Sequence, residues 1–97
     1  MKLGEVAAKV VLFATLRKKF GVRELEVKCD GTVRNLIEKA SMKLGKDFFE
    51  TIYDIDRDGV KDEFLFTING RNIKDIKKEA RIKDGDVIAI FPRVAGG

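Results

Sequence analysis

Two uninterrupted apolar runs, one near each end of the 97-residue chain, constrain its fold more than any other feature. "AKVVLFATLR" (Ala8–Arg17) keeps its polar side chains towards its ends, and "VIAIF" (Val87–Phe91) has none. Short runs rich in β-branched residues read as strands buried on both faces, and such strands belong at the centre of a sheet. The chain must therefore bring its two ends together and cover them with what lies between.

The intervening residues supply the rest of that sheet and its cover. "KKFG" (Lys18–Gly21) reads as a turn. "VRELEVKC" then alternates, with Leu25, Val27 and Cys29 on one side and Glu24, Glu26 and Lys28 on the other. This predicts a half-solvated strand in a hairpin with the first. In "DGTVRNLIEKASMKLG" the period changes: Thr32 fits an N-cap, and Val33, Leu36, Ile37, Ala40 and Leu44 fall on one helical stripe. Gly45 is placed to end that helix in a left-handed conformation. "DFFETIYD" is too apolar for a free linker and predicts a short helical turn or an extended cover. "FLFTING" (Phe64–Gly70) turns Phe64, Phe66 and Ile68 inward and closes on Asn-Gly, a hairpin signal. Ile73, Ile76 and Ile82 anchor an irregular basic stretch, "KDGD" makes a turn, and Pro92 ends regular pairing on the last strand.

The order is thus strand, strand, helix, strand, strand. A right-handed crossover would set the first and last strands parallel at the centre of a mixed sheet, covered by one main helix. That is an α+β, β-grasp (ubiquitin-like) architecture. It predicts one domain over residues 1–91 and a flexible tail over residues 92–97.

Few reactive side chains are available. There is no histidine, which excludes imidazole chemistry, and the single cysteine excludes an internal disulfide or a multi-thiolate metal site. Cys29 falls in phase with the apolar face of its strand and reads as a small core side chain. One cysteine fits a reducing cytoplasm, and no stretch has the length of a membrane span or the pattern of a leader, so a cytoplasmic protein without a membrane partner is expected. Between Arg71 and Lys83, six bases (Arg71, Lys74, Lys77, Lys78, Arg81, Lys83) face two acids (Asp75, Glu79), a local excess equal to the whole net charge of +4. The stretch has no aromatic side chain to stack on bases, so it reads as a solvated face or a steering patch for an acidic protein, not a nucleic-acid platform. In "DIDRDGVKDEFL", Asp54, Asp56, Asp58 and Gly59 mimic the first half of a calcium loop, but Leu65 stands at the twelfth place. The reading is an Asp-rich surface turn, and a cation site there would need Asp62 or Glu63 to complete it.

The sequence closes on "AIFPRVAGG". Six extended residues from Pro92 reach about 20 Å, and two glycines without side chains pass through a narrow channel in a partner. A carboxylate on Gly97 becomes an acyl donor once a partner adenylates it with ATP, and a sulfur nucleophile can then displace AMP. The chain would be a carrier whose partners supply the catalysis, with no cofactor of its own.

The stretches "KVVLFATLRKKFG", "GTVRNLIEKA", "FTINGRNI" and above all "IKDGDVIAIFPRVAGG" resemble the small subunit of molybdopterin synthase, in the MoaD and ThiS group of sulfur carriers. The resemblance spans nearly every element except the first few residues and Lys46–Glu63. It implies adenylation of Gly97 by an E1-like enzyme and conversion to a thiocarboxylate by a sulfur donor. Sulfur would then pass to a pyranopterin precursor inside the large synthase subunit. Gly96 would be the unhindered neighbour of Gly97, while Phe91, Pro92 and Val94 resemble residues that dock on partners, and Arg93 and Ala95 complete the tail. Arg93 stands where many relatives carry a second proline, and the acidic insertion lengthens the chain. A ubiquitin-like protein modifier, a carrier for thiamine or tRNA sulfur, and a non-catalytic binding domain remain alternatives.

Overall fold

The structure is a computed structural model and describes residues 5–76 and 80–93. A five-stranded mixed sheet forms its frame, in the order β2 (Glu24–Cys29), β1 (Val6–Leu12), β7 (Val87–Pro92), β5 (Phe64–Ile68), β6 (Arg71–Asn72). β1 and β7 are adjacent and parallel, in register from Lys9↔Val87 to Leu12↔Ile90. β2 flanks β1 antiparallel, and β5 flanks β7 antiparallel. The expected β-grasp frame is present, with β7 at its centre.

The main helix, α2 (Val33–Leu44), forms as its residues dictate. Thr32 caps it by accepting the Asn35 N–H at 3.1 Å, and Leu36, Ile37 and Ala40 are its buried face. They close on Ala8, Val10 and Leu12 of β1, Val27 and Cys29 of β2, Phe66 of β5, and Ile88 and Ile90 of β7, in one continuous core. Gly45 ends the helix at φ 108°, ψ 152°, which is not the left-handed conformation expected, because α3 (Lys46–Ile52) starts at once on its other side. α3 is core: Phe48 and Ile52 are both fully buried. A hairpin of two-residue strands follows, β3 (Tyr53–Asp54) with β4 (Gly59–Val60). After β5, Asn69 and Gly70 both take positive φ, as a tight hairpin requires, and lead into β6 (Arg71–Asn72) and a 3₁₀ turn at Ile73–Asp75.

Two expectations fail at the first strand. "AKVVLFATLR" is not one strand to Arg17, nor is "KKFG" a simple turn: β1 stops at Leu12 and α1 (Thr15–Phe20) follows. Leu16, buried, pulls this turn of helix onto the core, and Gly21 closes it in the left-handed conformation. The central strands are also buried on one face only. Ala8, Val10, Leu12, Ile88 and Ile90 lie under the helices, while Ala7, Val11, Ala89 and Phe91 are half-buried on the outer face and Lys9 and Val87 are exposed there.

Candidate functional site

The end of β7 is where the sheet hands the chain over to residues 94–97. Alternation along β7 turns the backbone groups of Ile88, Ile90 and Pro92 towards β1, and those of Ala89 and Phe91 towards β5. Phe13 N–H donates to Ile90 O at 3.3 Å on the first side, and Arg93 N–H donates to Glu63 O at 2.7 Å on the second. β1 has left the sheet by Pro92, so the proline's missing N–H costs no ladder bond. Pro92 thus ends pairing on one side only; on the other it lies opposite Phe64, and one further bond follows at Arg93.

Phe91 points to the outer face, opposite Leu65. Its ring stacks on Phe13, with centroids 4.3 Å apart and planes 10° from parallel. The Arg17 guanidinium lies 5.7 Å from the Phe13 centroid, and Arg17 Nε donates to Leu12 O at 3.3 Å. The result is a half-exposed aromatic platform with a cation at its rim, beside the point where the chain leaves the sheet. The sequence reading assigned Phe91 to this region but missed Phe13 and Arg17. Their signal was α1 itself, whose start throws Phe13 across the end of β7. Val94, Ala95, Gly96 and Gly97 lie outside the described residues.

Other candidates go elsewhere. Asp54 Oδ1 accepts the backbone N–H groups of Asp56 at 3.0 Å and Arg57 at 3.3 Å, and Asp58 Oδ1 accepts the Tyr53 hydroxyl at 2.7 Å. Arg34 Nη1 is 3.6 Å from that same Asp58 oxygen. Asp62 pairs with Lys74 and Arg57; these hydrogen bonds, Lys74 foremost, hold its carboxyl down at about 2. No group of three or more metal-ligating side chains converges among the described residues. Of the basic stretch, Arg71 lies on β6, Lys74 in the 3₁₀ turn on Asp62, and Arg81 in a bridge to Thr32, while Lys77 and Lys78 are outside the described residues. Cys29 is 1% exposed and burial pushes its thiol up, so it stays protonated and unreactive. Among the described residues no helix is long and apolar enough to cross a membrane.

A mixed sheet gripping one long helix, with its central strand running out to an exposed end beside an aromatic platform, defines a ubiquitin-like β-grasp domain. The sequence model of the ThiS family matches residues 10–97, and the chain belongs to that family of ubiquitin-like sulfur carriers. It is similar to small archaeal modifier protein 1 from Methanosarcina acetivorans, at 28% identity and a TM-score of 0.77 over 96% of this chain and 98% of that one. It is also similar to putative molybdopterin converting factor subunit 1 from Pyrococcus furiosus, at 32% identity and a TM-score of 0.64 over 92% of this chain and 99% of that one. A chain of the BexX/CysO complex from Amycolatopsis orientalis shares the fold, at 24% identity and a TM-score of 0.77 over 93% and 99% of the two chains. No curated protein sequence matches this one.

Proposed function

We propose that this chain carries sulfur for molybdenum cofactor biosynthesis, as the small subunit of a molybdopterin synthase. The observation that carries the reading is the family match, which runs through residue 97, joined to the likeness to the Pyrococcus furiosus converting factor. A Gly97 carboxylate oxygen attacks the α-phosphate of ATP in an E1-like partner, and pyrophosphate leaves. Hydrosulfide, the sulfide-level product of a sulfur donor, then adds to the acyl carbon; AMP leaves with the bonding pair, a proton is lost, and the thiocarboxylate results. Inside the large synthase subunit the thiocarboxylate sulfur bonds to a carbon of a pyranopterin precursor and displaces an oxygen leaving group; water then cleaves the acyl–sulfur bond, returning the Gly97 carboxylate and leaving the sulfur as one arm of a dithiolene.

In this reading the domain is a rigid handle. Phe91, Pro92 and Val94 dock on the partner enzymes, with Phe13 extending the apolar contact of Phe91. Arg93, held to Glu63, fixes where the leash begins; Ala95 and Gly96 let it thread a narrow channel. Incubation with a cognate E1-like enzyme, ATP and a sulfur donor should exchange one oxygen for sulfur in the intact mass. Deleting Gly96 and Gly97 should abolish the exchange without moving the melting temperature. A deletion variant that still restores cofactor synthesis refutes the proposal.

The likeness to small archaeal modifier protein 1 favours a second reading, in which the same adenylate passes to lysines of target proteins. Slower-migrating, isopeptide-linked species that depend on Gly97 in extracts of the source cells would establish it.

A further inference from the structure

We propose that the open edge of β2 receives an extended, acidic segment of a partner protein, which adds a strand to the sheet alongside α2. Among the described residues β2 is the outermost strand on its side of the sheet. Leu12 N–H donates to Arg23 O at 2.9 Å, and the register Val10↔Leu25, Ala8↔Val27 then turns the backbone groups of Leu25, Val27 and Cys29 inward, to β1. Those of Glu24, Glu26 and Lys28 point outward. An edge of this kind is a template for another strand unless it is guarded.

The guard here is a side chain. Lys43 of α2 donates from Nζ to the outward Glu26 carbonyl at 2.7 Å, occupying an acceptor that an incoming N–H would use. A lysine on a long flexible stem is a replaceable occupant: displaced, its ammonium is free to meet a carboxylate. Between this edge and α2 runs a groove of about 580 Å³, lined by Val27, Lys28, Lys39, Met42 and Lys43, with Glu5 and Glu26 completing it. Glu26 and Lys28 alternate to the outer face of the sheet, so the wall from α2 is Lys39, Met42 and Lys43 alone. Met42 is 77% exposed, more than any other large apolar side chain among the described residues. Neither lysine lies within ion-pair distance of a carboxylate among the described residues.

Charge and spacing select the occupant. Lys39 and Lys43, one helical turn apart, sit about 6 Å from each other. Alternate residues of an extended strand, which share one face, lie about 6.7 Å apart. Carboxylates at alternate positions therefore meet both ammoniums, while the strand's backbone takes the outward groups of Glu24, Glu26 and Lys28. A basic strand meets two like charges instead. This site lies on the opposite flank of the sheet from β5 and β6 and does not depend on Gly97.

The test uses isotope-labelled protein and a short, blocked peptide alternating glutamate and valine, followed by amide chemical shifts. Shifts should fall on Glu24, Glu26 and Lys28 and on Lys39–Lys43, and weaken with salt. The matching peptide with lysine for glutamate should leave the spectrum unchanged. The pair K39E/K43E should bind about tenfold more weakly or worse. Glu26→Pro should lose binding while keeping a dispersed spectrum, because it removes an outward N–H and no bond to β1. The proposal is overturned if millimolar peptide shifts none of these amides, if the shifts map to the Phe13–Phe91 face, or if both variants bind as the parent does. It is equally overturned if β2 pairs with a second copy of this chain before peptide is added.

Discussion

Replacing Phe48 with alanine asks whether the segment after Gly45 is part of the fold or an ornament on it. Phe48 is fully buried, and its ring meets Phe20 edge-on with centroids 5.1 Å apart. Removing about 150 Å² of buried ring at about 25 cal/mol per Å² costs about 4 kcal/mol. The lost ring pair adds about 0.5–1 kcal/mol, so the total is about 4–5 kcal/mol, near the top of what a Phe→Ala change in a core costs. A domain this size has about 5–15 kcal/mol in all, and each kcal/mol moves its melting temperature by about 4–8 °C. Urea unfolding followed by circular dichroism should show a much lower midpoint with an unchanged slope, and the melting temperature should fall by at least about 15 °C. A Phe20→Ala/Phe48→Ala double-mutant cycle isolates the ring pair, expected at about 0.5–1 kcal/mol. A loss below about 1 kcal/mol for Phe48→Ala would mean that α3 is a detachable flap, and the packing argument would fail.

Three further outcomes test other joints of the structure. Tyr53 is the only tyrosine and there is no tryptophan, so ultraviolet titration reads it alone; burial first, and the bond to Asp58 second, push its hydroxyl up to about 12. Since that lies above the ordinary value of 10.0, stability intact below pH 10 should decline as pH rises towards 12, and Asp58→Asn should bring the midpoint down part of the way. Gly31 is buried at φ +96°, and a Cβ there would lie 3.2 Å from the Ile82 carbonyl, so Gly31→Ala should cost about 2 kcal/mol in chemical denaturation. Ala14 sits at φ 52°, ψ −127°, a conformation suited to glycine, so Ala14→Gly should stabilise by about 1 kcal/mol, and a lower urea midpoint would contradict that.

The elements legible in the residues are those with one wet face. The alternation of Glu24–Cys29 and the stripe Leu36, Ile37, Ala40 each point to a single burial surface, and both elements stand where that pattern puts them. α1 was hidden because Leu16, close behind Phe13 and Ala14, reads as the tail of the apolar run of β1. Gly21 and the bases Lys18 and Lys19 were its only stop signals, and they read equally well as a turn. The site was half legible for a related reason. Phase alone puts Phe91 on the face opposite Ile90, but its partner Phe13 arrives through α1.

The apolar pattern of the two central strands bears on function more than the hidden helix does. An apolar strand pattern on both faces arises when the chain covers both sides of its own sheet, or when it leaves one side for another molecule. Here the helices and the core occupy one side. The other holds a row of half-buried groups, with Val11 beside Ala89, and Leu65 beside Phe91. That row ends at the Phe13–Phe91 stack, where Arg93 leaves β7. The residues that made the sequence look doubly buried are therefore the ones nearest the departing chain. Apolar surface kept there, on a rigid strand pinned from both sides up to Ile90, lets a partner grip the sheet without ordering anything new.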